Sequence, residues 1–362
     1  MSFIKLEEIK ILLKQYPLIK DREIISKIIE GEKLSERELT RAFQMSLPLF
    51  NLIILNKRFE KNTQIIENDW FNAKFNKLDD MGTVRNLEII PLIDFHAENN
   101  LFTENGVSYY IKADDICILY DTGLNPNRKH PSPLLKNMEA LGISIDEIKY
   151  VFISHLHGDH VGGLKWAQQN TFSLSDIQSN LSHVKVFTPV EMTHPTAKLS
   201  HVKGPEVITE GIASIGPIHN PLFFFKDIYE QAMAINVEGK GIVVIVGCGH
   251  QGVKKLIDRV ELLFDTPIYG IIGGLHLPIP KFPSEENIWS GLPVHKFIMT
   301  KRPPWEPWQK EDLNDALDYL KTRNPKLVAL SPHDSSIESI NAFKDTFKEA
   351  YTDLKVGKAI KI

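Results

Sequence analysis

The stretch His155-Leu156-His157-Gly158-Asp159-His160, directly after Tyr150-Val151-Phe152-Ile153-Ser154, decides the reading of this 362-residue chain. The apolar run is a buried strand by its composition, so the three imidazoles and the carboxylate fall in the turn that leaves its C-terminal end. Gly158 permits a tight bend there, and Gly162-Gly163 follow at once. His155 and His157 are two apart, so in extended backbone they project to the same side and can share one ion. Asp159 and His160 lie past the bend and can face a second. Imidazole nitrogen and carboxylate oxygen suit zinc, iron(II) or manganese. Four ligand-type side chains around one turn are costly to hold together without a cation.

The same device recurs downstream. The apolar run Ile242 to Val246 feeds Gly247-Cys248-Gly249-His250. Ile268 to Ile272 feeds Gly273-Gly274-Leu275-His276-Leu277, and Leu327 to Leu330 ends in Ser331-Pro332-His333-Asp334. Parallel strands gather their C-terminal ends on one sheet edge, so His250, His276 and His333 are expected near the first cluster. The glycines flanking Cys248 allow close backbone approach. His183, His194 and His201 carry no such context and read as surface or core histidines.

Composition is that of a soluble globular protein, with 43% hydrophobic and 24% charged residues. A net charge of −4 supplies no global basic field for nucleic acid. Cys117 and Cys248 cannot form a disulfide framework and point to a reducing compartment. The N-terminus carries acid early and lacks the apolar core of a secretory signal. No apolar run approaches the ~18 residues of a membrane span. A cytoplasmic location is expected.

Residues 1–78 read as a small helical extension. Leu6, Ile9, Leu12 and Leu13 recur at helical spacing, as do Ile24, Ile25, Ile28 and Ile29. Ser35-Glu36-Arg37-Glu38 is a capping box for a further helix. This segment holds no ligand cluster and no basic recognition face, and it reads as a packing or homo-oligomerisation module. Residues 79–362 read as one mixed domain. Leu87 to Ile93, Val107 to Ala113 and Ile116 to Tyr120 are strands, with Asp114-Asp115 as a hairpin turn. Leu134 to Leu141 is helical. Thr209 to Pro217 holds two short strands, and Ala232 to Val237 another.

The pattern His-x-His-x-Asp-His after a strand resembles the metallo-β-lactamase superfamily. That resemblance implies an α/β fold, an αββα sandwich with a two-metal site at one edge. It also implies that Asp121, in Asp121-Thr122-Gly123, braces a metal-ligand loop without itself binding metal. Gly-Cys-Gly-His-x-Gly, Gly-Gly-Leu-His-Leu and Pro-His-Asp, in that order, are similar to a branch typified by 7,8-dihydropterin-6-methyl-4-(β-D-ribofuranosyl)aminobenzene-5′-phosphate synthase. The likeness covers about residues 85 to 362. Gly249 stands where that branch has Ser, and the cysteines around its last histidine are missing here. A segment from Pro278 to Lys310, with Trp289, Trp305 and Trp308, reads as an aromatic wall or lid, or as an oligomer contact.

The implied cofactors are two divalent ions, zinc first and iron or manganese next. One would take His155, His157 and His250. The other would take Asp159, His160 and either His276 or His333. Many relatives carry a bridging Asp where this chain has Gly247-Cys248, so Cys248 either borders the metals or is a small buried residue. Such ions lower the pKa of bound water from ~15.7 towards ~7. The expected activity is hydrolysis of a small, phosphorylated or pterin-like molecule by metal-bound hydroxide, with Asp159 at the reacting centre. The alternatives are a pterin-condensing transferase of methanopterin-type cofactor synthesis, and less well a nuclease, for which no basic track is visible.

Overall fold

The computed structural model describes residues 56–223, 227–278 and 308–362, with positions 27, 35, 288–289, 292–293 and 302 besides. The helices read around Leu6 to Leu13 and after Ser35, and most of the Pro278 to Lys310 segment, lie outside the described residues.

Apolar runs build the strands, and central ones such as Met233–Val237, Gly241–Val246 and Ile268–Gly273 are buried along most of their length. In chain order the first are β1 (Leu87–Ile93), β2 (Ser108–Ala113), β3 (Ile116–Tyr120), β4 (Tyr150–Phe152), β5 (Lys185–Thr188) and β6 (Lys198–His201). Next come β7 (Glu206–Thr209), β8 (Ile212–Ser214), β9 (Ile218–Asn220), β10 (Ile228–Glu230), β11 (Met233–Val237), β12 (Gly241–Val246) and β13 (Ile268–Gly273). β14 (Ile288–Trp289) and β15 (Leu292–Pro293) form a small hairpin, and β16 (Leu327–Leu330) and β17 (Ile360–Lys361) close the chain.

Two sheets result. One is seven-stranded in the order β17-β1-β2-β3-β4-β5-β6, and the other six-stranded in the order β16-β13-β12-β11-β8-β7. Their facing sides share a core that includes Ile111, Tyr120 and Phe152 from one sheet and Ile235, Val243 and Ile272 from the other. Fully burying each such aliphatic side chain contributes ~1.5–3 kcal/mol. The outer face of the six-stranded sheet is covered by helices Val253–Leu263, Lys310–Lys321 and Ile337–Phe347, through Leu256, Val260, Leu317, Leu320 and Phe343. The outer face of the seven-stranded sheet is covered by helices Pro133–Ala140 and Leu164–Gln168, through Leu134, Met138 and Trp166. The layers are therefore helix, sheet, sheet, helix, as the resemblance implies.

A helix over 56–72 precedes this sandwich. Trp70, Phe75 and Leu78 pack on the helical layer over the six-stranded sheet. The buried Arg259 guanidinium lies 4.9 Å from the Trp70 ring and 4.1 Å from that of Phe75, and it donates to the Ile215 carbonyl. No helix among the described residues is long and apolar enough to cross a membrane.

Register places the site. β12, β13 and β16 are parallel, with Val246 opposite Gly273 and Gly273 opposite Leu330. Three of the histidine-bearing strand ends therefore stop level. The fourth, that of β4, belongs to the facing sheet, where β4 runs parallel to β3 and β5. The histidines converge from both sheets across the top of the shared core, not from one sheet edge.

Candidate metal centre

The loop after β4 is fixed by its backbone. The carbonyl of Asp159 accepts from the Val107 N–H, and that of His160 accepts from the N–H and hydroxyl of Thr122. Gly163 N–H closes the bend onto the Gly158 carbonyl at 2.7 Å. The loop thus hangs on β2 and the end of β3, which is why its four ligand-type side chains hold one arrangement.

Those side chains divide into two groups, each with all its ligand atoms within 4.8 Å of one another. His155, His157 and His250 form the first, and Asp159, His160, Cys248 and His333 the second. In the first, Nε2 of His155 stands 3.1 Å from Nδ1 of His157. In the second, Nε2 of His160 lies 3.0 Å from Sγ of Cys248, and Nε2 of His333 lies 3.0 Å from Oδ2 of Asp159. The rings of His155 and His160 are 4.1 Å apart, so the groups adjoin.

The electrostatics differ between the two. Burial, reinforced by the neighbouring imidazoles, pushes His155 and His250 well below the usual histidine range, and takes His157 down to about 4. The first group therefore presents neutral, ligand-ready nitrogens. Burial also lowers His160, but Asp121 and Asp159 outweigh it and carry it up to about 9. For Asp159, burial acts upward, yet His160 and the His333 hydrogen bond hold its carboxyl well below the ordinary carboxylate range. Burial, then nearby Asp334 and Asp159, pushes the Cys248 thiol up.

A divalent ion fits these residues. Both ring nitrogens of His250 and Nδ1 of His333 are buried without a hydrogen-bond partner among the described residues. Such orphaned polar atoms are expensive unless something binds them. The donor sets, three imidazoles in one group and a carboxylate, two imidazoles and a thiol in the other, suit transition metals.

The comparisons with known proteins agree with the layers and with this edge. The model of the Metallo-beta-lactamase superfamily matches residues 102–172, which include the loop after β4. A solved structure of a metal-dependent hydrolase of the beta-lactamase superfamily superposes with a TM-score of 0.52 at 20% identity, covering 76% of this chain and 99% of that one. The chain has the metallo-β-lactamase fold. Among curated proteins, the 7,8-dihydropterin-6-methyl-4-(beta-D-ribofuranosyl)-aminobenzene-5′-phosphate synthase of Methanocaldococcus jannaschii is 22% identical over 326 residues, 78% of this chain and 98% of that protein. An uncharacterized protein of the same organism is 23% identical over 210 residues, 51% of this chain and 78% of that protein.

Within this metallo-β-lactamase fold, the remaining candidates take definite places. Asp121 belongs to neither group. Its Oδ1 accepts from the Ser154 N–H, and its Oδ2 accepts from the Ser154 hydroxyl while standing 2.7 Å from Nδ1 of His160. It adopts φ 54°, a left-handed conformation that Asp tolerates better than most residues. His276 also stands outside both groups. Its ring is 4.5 Å from that of His250, with the Trp308 ring 6.4 Å away. Register and loop path thus bring His333, not His276, to the second group.

Three supports complete the site. Ser154 and Glu230 escaped the sequence reading, while Asp334 was legible there as a residue placed to orient His333 or a neighbour. Ser154 links Asp121 to His155, its hydroxyl lying 2.9 Å from His155 Nδ1. Asp334 accepts from the His276 N–H at 3.0 Å, holding that residue at φ 49°. Glu230, fully buried, accepts the N–H groups of Cys248, Gly249 and His250. Gly249, at φ 81°, lets its loop lie against the next one: a Cβ there would come within 2.6 Å of the Gly274 carbonyl oxygen.

Proposed function

We propose that this chain is a metal-dependent hydrolase of a small molecule, working at the seven-residue centre. The observation that carries this reading is the convergence of two adjoining ligand groups, three residues and four, at the top of the metallo-β-lactamase sandwich. His155, His157 and His250 would hold one divalent ion, and Asp159, His160, Cys248 and His333 a second. Bound there, the ions would supply Lewis acidity toward a substrate oxygen and hydroxide at neutral pH.

The chain's own residues account for the rest. Asp121 and Ser154 fix the tautomer and aim of His160, and Ser154 does the same for His155. The His276 ring lies beside that of His250, with the Trp308 ring next to His276, and these two rings would contact a substrate held at the metal ligands. The thiol of Cys248 makes the second group softer than a carboxylate would, which favours zinc over manganese. The acidic net charge and the absence of a basic field argue for a small-molecule substrate over nucleic acid. The two cysteines, both free and buried, are consistent with a cytoplasmic setting.

A second reading has one observation behind it: the likeness to the dihydropterin synthase extends over 98% of that protein. On it, this chain would be a transferase joining a pterin to a ribosylated aromatic, with the same residues holding the ions. A panel of phosphodiester, lactone and thioester reporters against the zinc, manganese and iron forms, with a dihydropterin diphosphate and a ribosylated aminobenzene in parallel, separates the two. Hydrolysis of a reporter supports the first, and condensation without hydrolysis the second. Substituting His155 and His157 together by Ala should remove most of the bound metal; unchanged metal by elemental analysis would overturn both.

A further inference from the structure

We infer that Glu230 is a positioning residue for the metal centre, fixing where the Cys248 thiol and the His250 imidazole stand. Three successive backbone N–H groups converge on its carboxylate: those of Cys248 at 3.0 Å, Gly249 at 2.8 Å and His250 at 2.7 Å. The side chain is fully buried. Cys248 belongs to the second ligand group and His250 to the first, so one carboxylate controls a member of each.

The turn after β12 needs such an anchor. Its amides point inward at a strand end, where no neighbouring strand continues to accept them, and buried amides without an acceptor each cost about 1–3 kcal/mol. A carboxylate with several lone pairs is the one side chain that can accept three amides at once. Among the described residues no Lys or Arg pairs with Glu230, and its hydrogen-bond partners are the three amides. Gly247 completes the fit, since a Cβ there would lie 3.3 Å from Glu230 Oε1 and 2.3 Å from the Ser154 hydroxyl oxygen.

Glu230 is itself held. It ends β10, which pairs antiparallel with β9. The next residue, Gln231, donates its N–H to the Ser154 carbonyl at 2.9 Å and its amide to the Ile153 carbonyl at 2.9 Å. Those two carbonyls lie in the segment entering His155. The pair Glu230-Gln231 therefore clamps the ligand loops of the two sheets to each other, Gln231 gripping the loop after β4 and Glu230 the loop after β12. A shift of Glu230 would move a ligand in each group while leaving His157, Asp159 and His333 in place.

This inference rests on the reading that the site binds metal, and the test keeps the two apart. Cobalt(II) is titrated into the metal-free full-length protein, E230Q and E230D, followed by the ligand-field bands and the thiolate-to-cobalt charge-transfer band of Cys248. Folding is checked by circular dichroism, and Tyr229→Phe, an outward-facing neighbour on β10, serves as the control. E230Q keeps the shape of the side chain but offers one acceptor oxygen and points an NH2 at the amides. It should bind cobalt ~10–100-fold more weakly, the range for lost partners behind metal ligands. Its charge-transfer band should shift or vanish. E230D, which keeps the charge but withdraws it by one methylene, should fall between E230Q and the parent. A folded E230Q with the parent's affinity and spectrum overturns the inference. Should E230Q not fold, a folded E230D with parental affinity and spectrum overturns it too. Failure of both to fold would make Glu230 a folding residue and also overturn it. A parent protein that takes up no cobalt removes the metal reading itself, which is a different result.

Discussion

Oδ2 of Asp121 lies 2.7 Å from Nδ1 of His160 and accepts the Ser154 hydroxyl as well, while Oδ1 accepts the Ser154 N–H. All three residues are fully buried. The imidazole is thereby turned so that Nε2, the atom beside Cys248 Sγ, faces the second ligand group. Asp121→Asn keeps the shape but puts an amide where one of these acceptors stood. Zinc affinity at the second group should fall ~10–100-fold, and by less at the first group, which Asp121 reaches only through Ser154 and His155. Competition with a chromophoric chelator resolves the two steps, and equal losses at both would contradict this division of labour.

Glu104 gives the chain a pH-dependent element away from the ligands. Burial raises its carboxyl to about 7 from an ordinary 4.5, although the Asn125 N–H pulls it down. Oε1 has no hydrogen-bond partner among the described residues. Between these two values the folded protein holds a proton that the unfolded chain has released. Stability must therefore fall as pH rises through that window, by on the order of 3 kcal/mol at most. Glu104→Gln cannot titrate. Its stability relative to the parent should improve from pH 4.5 to pH 8, read from urea denaturation midpoints. A difference that stays constant with pH would mean the carboxyl is not buried as found.

Trp70 and Phe75 enclose the Arg259 guanidinium on the helical layer over the six-stranded sheet. Arg259 has no carboxylate partner among the described residues, and burial takes it down to about 10. The contact is stacking and packing, worth ~0.5–2 kcal/mol as a cation–π term with the lost apolar area added. Trp70→Ala should cost about 2 kcal/mol of stability. Because the 56–72 helix carries no member of either ligand group, metal content should not change. Loss of metal in a folded Trp70→Ala protein would show that the N-terminal region supports the site, against the proposed division into residues 1–78 and 79–362.

Much of this was legible before any coordinates. The central strands of the sandwich were readable because their apolar runs are flanked by glycines or acidic turns, as with Asp114-Asp115 between β2 and β3. The short strands β5, β6 and β17, toward the two ends of the seven-stranded sheet, were not read. The histidines were readable because ligand-type residues at strand ends have little packing use. What stayed hidden has physical reasons. That β4 joins a different sheet from β12, β13 and β16 depends on long-range pairing, which local periodicity does not encode. Glu230 binds backbone amides, and amides leave no mark in a sequence. The choice between His276 and His333 turns on loop path: each follows a buried strand by about the same distance, but Asp334 holds the His276 backbone in a left-handed bend that keeps its ring by His250.

That difference yields the sharpest test of the site. His333 Nε2 is 3.0 Å from Asp159 Oδ2, inside the second ligand group, and its ring is 5.4 Å from that of His160. His276 instead lies between His250 and Trp308, in neither group. His333→Ala should therefore remove a ligand and leave the Asp159 carboxylate without its partner. The second equivalent of zinc should be lost or weakened by at least about tenfold, since an outer partner alone is worth that much. His276→Ala should keep both equivalents and lower turnover of whichever reporter the parent accepts, the pattern of a group that touches substrate. Elemental analysis on both variants, with kcat and KM measured separately, gives opposite patterns for the two. If His276→Ala loses metal while His333→Ala keeps it, the assignment of the second group is reversed and the loop after β13, not that after β16, completes it.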